Sequence, residues 1–142
     1  MAPKFSTPFE RSGELPVRQS VLLVEDDAAV LSVVSQMLRS RGFTVYEAHN
    51  PHMALGMASR SDISLDLLLT DMVMPKGMNG RQLAEAALAH HAGLRVLFMS
   101  GYTDDHVTLS GELPGTGALL RKPFTKRTLA EALRATLAAR AA

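Results

Sequence analysis

A chain of 142 residues, 46% hydrophobic and 20% charged, can build one hydrophobic core and is too apolar to stay disordered. Its 15 Lys and Arg against 14 Asp and Glu leave no net field to draw it to nucleic acid or to an anionic membrane. With no cysteine there is neither a disulfide framework nor a thiolate metal site, which fits a reducing, cytoplasmic setting.

Residues 1–20 are broken by Pro3, Pro8, Gly13 and Pro16, lack the apolar stretch of a signal peptide and read as a flexible tail ahead of one domain over residues 21–140. No apolar run approaches the ~20 residues of a membrane span. From Val21 onward, short apolar runs alternate with stretches of helical period, the pattern of a parallel sheet covered by helices. The run Val21-Leu22-Leu23-Val24 is apolar on both faces and stops at Glu25-Asp26-Asp27, as a central parallel strand should. A helix follows, with Val30, Val33, Val34, Met37 and Leu38 as its expected buried stripe and Gly42 as its stop.

Phe43 to Ala48 predicts the second strand, and Asn50-Pro51 an N-cap with proline at the first position of a short helix through Arg60. Leu65 to Thr70 predicts the third strand, ending at Asp71. Pro75 to Gly80 reads as a loop, and a helix is expected from Arg81 to His91. Arg95 to Met99 and Ala118 to Leu120 are the fourth and fifth strands, ending at Ser100-Gly101 and Arg121-Lys122-Pro123. Thr103 to Ser110 carries a weak helical pattern. The last helix has Thr125 as N-cap, Phe124 stapled onto Leu129, and Leu129, Leu133 and Leu137 on one face.

The polar residues fall where the strands stop. Strands of a parallel sheet all point one way, so Glu25, Asp26, Asp27, Asp71, Ser100 and Lys122 converge on one rim, where open α/β sheets bind ligands. Three adjacent carboxylates repel one another unless a cation joins them, and all-oxygen ligation suits a hard ion such as Mg²⁺. A carboxylate can attack phosphorus to form an acyl phosphate, with Lys122 and the metal neutralising charge. Taken singly, Asp71 would be a turn residue, Ser100 likewise and Lys122 a solvated charge; their convergence is what points to a site. Asp27 reads as a helix cap. His49, His52, His90, His91 and His106 show no metal-binding spacing beyond the three-residue step from His49 to His52, and the eight methionines read as core filling.

The segments Leu22 to Asp27, Thr70 to Pro75, Met99 to Tyr102 and Arg121 to Phe124 together resemble the response-regulator receiver family of two-component signalling over about residues 21–139. Met74-Pro75, Met78-Asn79-Gly80 and Ser100-Gly101-Tyr102 are most similar to receivers attached to hybrid histidine kinases. The resemblance implies a flavodoxin-like, doubly wound (βα)5 fold with sheet order 2-1-3-4-5. It further implies Asp71 as phosphoacceptor, and Mg²⁺ held by Glu25, Asp26, Asp71 and the Val73 backbone carbonyl, Asp26 being the more direct ligand of the acidic pair. Ser100 would bond the phosphoryl oxygens, Lys122 would pair with them, Gly101 would leave room for the donor, and the Lys122–Pro123 peptide would be cis. The implied partner is a histidine kinase or histidine phosphotransfer protein, with a weak or phosphorylation-dependent homodimer left open and no enzymatic activity beyond the domain's own phosphorylation and dephosphorylation.

Leu119 stands where many receivers carry an aromatic switch residue, so signalling would run through Ser100 to the Thr103–Gly117 stretch. Tyr102 and Val73 would hinder an attacking water, predicting slow self-dephosphorylation. Two rival readings are a receiver-like interaction module that is never phosphorylated and a haloacid-dehalogenase-type phosphatase. The first usually lacks one of the acidic, Ser/Thr or Lys positions, and the second wants an acid where Val73 stands and a cap domain besides. A dinucleotide-binding domain is excluded because acids, not glycines, follow the first strand.

Overall fold

The structure, a computed structural model, describes residues 19–74, 77–101 and 118–138. Within them the chain alternates between β1 (Ser20–Val24), α1 (Ala28–Ser40), β2 (Thr44–Ala48), α2 (Pro51–Ala58), β3 (Leu67–Asp71), α3 (Gly80–His90), β4 (Arg95–Ser100), β5 (Ala118–Arg121) and α4 (Lys126–Ala138). The strands are all parallel and lie in the order β2-β1-β3-β4-β5, the flavodoxin-like doubly wound arrangement expected from the sequence. The weak Thr103–Ser110 segment, Tyr102 and the segment before Gln19 lie outside the described residues.

Strand alternation sorts the core into two layers. Leu22, Val24, Leu68 and Phe98 face α2 and α3, meeting Ala54, Ala58, Leu83, Ala84 and Ala87. The small alanines let those helices lie close to the sheet. Val21, Leu23, Leu67, Leu69 and Leu97 face the other way, onto Val34 and Leu38 of α1 and Leu129 and Leu133 of α4. Each fully buried leucine contributes about 1.5–3 kcal/mol, so β1 and β3, apolar on both faces, anchor the sheet from its centre.

The expected caps are formed. The Asp27 carboxylate accepts from the Ala29 and Val30 amides, and the Asn50 side chain accepts from Met53 ahead of Pro51. The Thr125 and Thr128 hydroxyls each accept the other's amide at the start of α4, and at α3 Asn79 and Gln82 close a reciprocal capping box that the sequence reading does not single out. Gly42 follows α1 at φ +96°, a left-handed conformation that suits glycine.

Three expectations are corrected. β3 begins at Leu67 rather than Leu65, because Asp66 is spent fastening β1: its carboxylate accepts from the Ser20 amide at 2.8 Å, and Ser20 itself opens β1. α3 begins at Gly80, one residue before Arg81. Val33 is 51% exposed and is not part of the buried stripe of α1, whereas Ser35 is buried and donates its hydroxyl to Glu47 of β2 at 2.5 Å. The helix is rotated so that Val34, Ser35 and Leu38 meet the sheet; Val30, Val33 and Met37 line an open groove of about 590 Å³ completed by Pro123 and Phe124.

Candidate functional site

All five strands point the same way, so their carboxyl ends share one rim. β1 delivers Glu25 and Asp26, β3 ends on Asp71, β4 ends on Ser100, and Lys122 follows β5. Backbone bonds hold these ends in place: Glu25 N–H donates to the Ala48 carbonyl (3.1 Å), Met72 N–H to Met99 (2.8 Å) and Lys122 N–H to Ser100 (2.8 Å). The Lys122–Pro123 peptide is cis.

Lys122 Nζ lies 2.8 Å from Glu25 Oε1 and 2.5 Å from Asp71 Oδ1. One oxygen from each of Glu25, Asp26 and Asp71 lies within 4.8 Å of the others, a group of side chains able to hold a metal ion among the described residues. The His49–His52 pair belongs to no such group among those residues. Glu25 and Asp71 are 1% and 4% exposed, while Asp26 opens to solvent. Ser100 is fully buried with its hydroxyl donating to the Gly101 carbonyl at 3.2 Å. Val73, two residues past Asp71, is 45% exposed.

One ammonium cannot neutralise three carboxylates. Burial, reinforced by the neighbouring Glu25, pushes the Asp71 carboxyl up to about 8 despite Lys122 beside it. Burial and Glu25 also raise Asp26. Glu25 is buried too, yet hydrogen bonds from Asp71, Lys122 and the Asp27 amide outweigh that burial and bring it below the usual range. Lys122 is raised, because contacts with Asp71 and Glu25 overcome its partial burial. The rim therefore carries a deficit of positive charge at a cluster of oxygen donors, which fits a hard divalent cation.

Of the residues singled out in the sequence, Glu25, Asp71 and Lys122 come into direct contact, an Asp26 oxygen lies within 4.8 Å of the two other carboxylates, and Ser100 lies buried at the end of the adjoining strand. Sequence reasoning places Gly80 in the Met78-Asn79-Gly80 motif and in a loop, but gives it no role at the site. A Cβ built there would fall 2.0 Å from the Asp71 carbonyl oxygen. Its signal was present as a glycine directly after the Asn79 cap, hidden by a segment that reads as generic loop.

The fold and this rim define the class: the chain belongs to the response-regulator receiver domain family, whose profile it matches over residues 21–134. It is 33% identical over 121 residues to the sensor kinase CckA of Brucella abortus, covering 85% of this chain and 13% of that protein. To the transcriptional regulatory protein CpxR of Klebsiella pneumoniae it is 38% identical over 117 residues, covering 82% of this chain and 48% of that one. The chain thus spans half or less of these relatives. Among solved structures, the receiver domain of the hybrid histidine kinase CckA superposes with a TM-score of 0.68 at 34% identity, covering 83% of this chain and 98% of that one. A response regulator receiver protein from Sinorhizobium medicae gives 0.76 at 26% identity, covering 86% and 96%. The protein is a receiver domain of two-component signalling, and no helix among its described residues is long and apolar enough to cross a membrane.

Proposed function

We propose that this receiver domain accepts a phosphoryl group on Asp71 from a phosphohistidine donor, a histidine kinase or histidine phosphotransfer protein. The observation that carries the reading is the Lys122 ammonium set between the Glu25 and Asp71 carboxylates, with an Asp26 oxygen in the same cluster. Glu25, Asp26, Asp71 and the Val73 carbonyl would hold Mg²⁺, which supplies charge neutralisation for Asp71 and for the incoming phosphoryl oxygens.

Asp71, once deprotonated, attacks phosphorus through a carboxylate oxygen. The P–N bond to the donor imidazole breaks, its electron pair stays on the ring nitrogen, and that nitrogen takes up a proton. An aspartyl phosphate remains on Asp71. Lys122, already in contact with Asp71, exchanges part of its carboxylate pairing for the phosphoryl oxygens. Ser100 turns its hydroxyl from the Gly101 carbonyl toward the same oxygens. The work of the protein is positioning and electrostatics.

The apolar groove lined by Val30, Val33, Met37, Pro123 and Phe124 includes Lys122 in its wall. An apolar surface contiguous with the phosphorylation rim suits a helical donor protein that must bring its histidine to Asp71. The domain would act in the cytoplasm as a signalling switch or relay, turning over nothing but its own phosphoryl group. Incubation with acetyl phosphate and Mg²⁺ should raise the intact mass by one phosphoryl group. Chelation of the metal or Asp71→Asn should abolish that gain; a gain that survives both would sink the reading.

A further inference from the structure

We propose that Gly80 is a positioning residue for the phosphorylation site: its missing side chain allows the first turn of α3 to press against the backbone of Asp71. The inference rests on the reading of Asp71 as a Mg²⁺-assisted phosphoryl acceptor. A Cβ at Gly80 would meet the Asp71 carbonyl oxygen at 2.0 Å, its carbonyl carbon at 2.9 Å and the Met72 Cα at 3.0 Å. All three are backbone atoms, so no flexible side chain can swing aside. Gly80 has no left-handed φ to require glycine; what it lacks is room.

The contact is held from both sides. Gly80 N–H donates to the Met72 carbonyl at 2.9 Å, closing the neck of the loop that carries Val73, and the Asn79–Gln82 capping box fixes the helix start immediately beside it. Asp71 is paired with Met99 of β4, while α3 is pinned to the sheet through Leu83, Ala84 and Ala87. Restoring an ordinary carbon–oxygen contact requires the neck to open by roughly 1.4 Å, in an interior that transmits strain rather than absorbing it. The opening falls on residues 71–73, where the proposed acceptor carboxylate and the proposed metal-binding carbonyl sit. By contrast, Gly56 in α2 has nothing within 4 Å of its Cβ position.

The test compares the full chain with Gly80→Ala and with Leu88→Ala, which trims a half-buried residue near the opposite end of the same helix. Three quantities are read: the thermal midpoint, the Mg²⁺ dissociation constant from amide NMR shifts, and the rate of phosphorylation by acetyl phosphate at saturating Mg²⁺. Gly80→Ala should weaken Mg²⁺ binding about tenfold and slow phosphorylation about 10- to 100-fold, since a displacement near 1 Å at a reacting group can cost about 100-fold. Leu88→Ala should lower the thermal midpoint yet keep both other values within about threefold, being away from the site. Wild-type values in Gly80→Ala, or losses no greater than those of Leu88→Ala, would overturn the proposal.

If Gly80→Ala does not fold, the wild type carries the test. Its Gly80 and Met72 amide signals should move with Mg²⁺ at the same half-saturation as Asp71, and unchanged signals at both would overturn the proposal. A wild type that neither binds Mg²⁺ nor becomes phosphorylated overturns the underlying reading instead, and this inference with it.

Discussion

Asp71→Asn removes a buried acid whose ionisation the fold opposes. Asp71 is 4% exposed, and burial together with Glu25 lifts its carboxyl to about 8, against about 3.9 in an unfolded chain. Because the folded value lies above the unfolded one, the folded state keeps a proton that the unfolded state sheds. The associated stability is fully present below about pH 4 and drains away as pH rises to about 8. At about 1.4 kcal/mol per pH unit the ceiling on this cost is about 6 kcal/mol.

Asn cannot keep the ionic part of the 2.5 Å contact with Lys122, which offsets part of the gain and leaves about 2 kcal/mol in its favour. For a domain of this size that corresponds to a rise of roughly 5–10 °C in thermal midpoint. The assay is thermal unfolding with metal chelated, comparing Asp71→Asn with wild type near pH 8 and again near pH 4. A gain at the alkaline end that shrinks in acid is expected. No gain at the alkaline end, or an equal gain at both, would refute the reasoning.

The same proton should make the proposed Mg²⁺ binding pH-dependent. Near pH 7 the metal-free carboxyl is largely protonated, so binding should release close to one proton, falling toward none well above pH 8; calorimetry in buffers of different protonation enthalpy measures the release, and a buffer-independent heat near pH 7 would contradict it. In the groove, Val33→Glu places a charge on an apolar wall beside Lys122 and should slow phosphotransfer from a phosphohistidine protein about tenfold or more. Phosphorylation by acetyl phosphate should stay at the wild-type rate, and equal slowing with both donors would place the defect in the site rather than in docking.

Much of this was legible because local chemistry and fold agreed. Val21–Val24 could only be a strand buried on both sides, and Asp27, Asn50 and Gly42 announced helix ends. The parallel-sheet rule then brought Glu25, Asp26, Asp71, Ser100 and Lys122 to one rim without any contact being known. What stayed hidden depended on neighbours remote in sequence. The apolar spacing of α1 covers a wide arc, and nothing local says which edge of it meets the sheet. Ser35 is buried because Glu47 on β2 answers its hydroxyl, so Val33 is left outside. The bridging of Glu25 and Asp71 by Lys122 joins three strands, and the demand for glycine at position 80 comes from the Asp71 backbone rather than from any turn of its own.

Reduction of the phosphorylated protein with borohydride followed by peptide mass mapping locates the acyl phosphate directly, since an aspartyl phosphate is converted to homoserine. After treatment with acetyl phosphate and Mg²⁺, homoserine should appear at position 71 and at no other aspartate. Homoserine at a different aspartate, or a phosphorylated chain with none at all, would contradict the account.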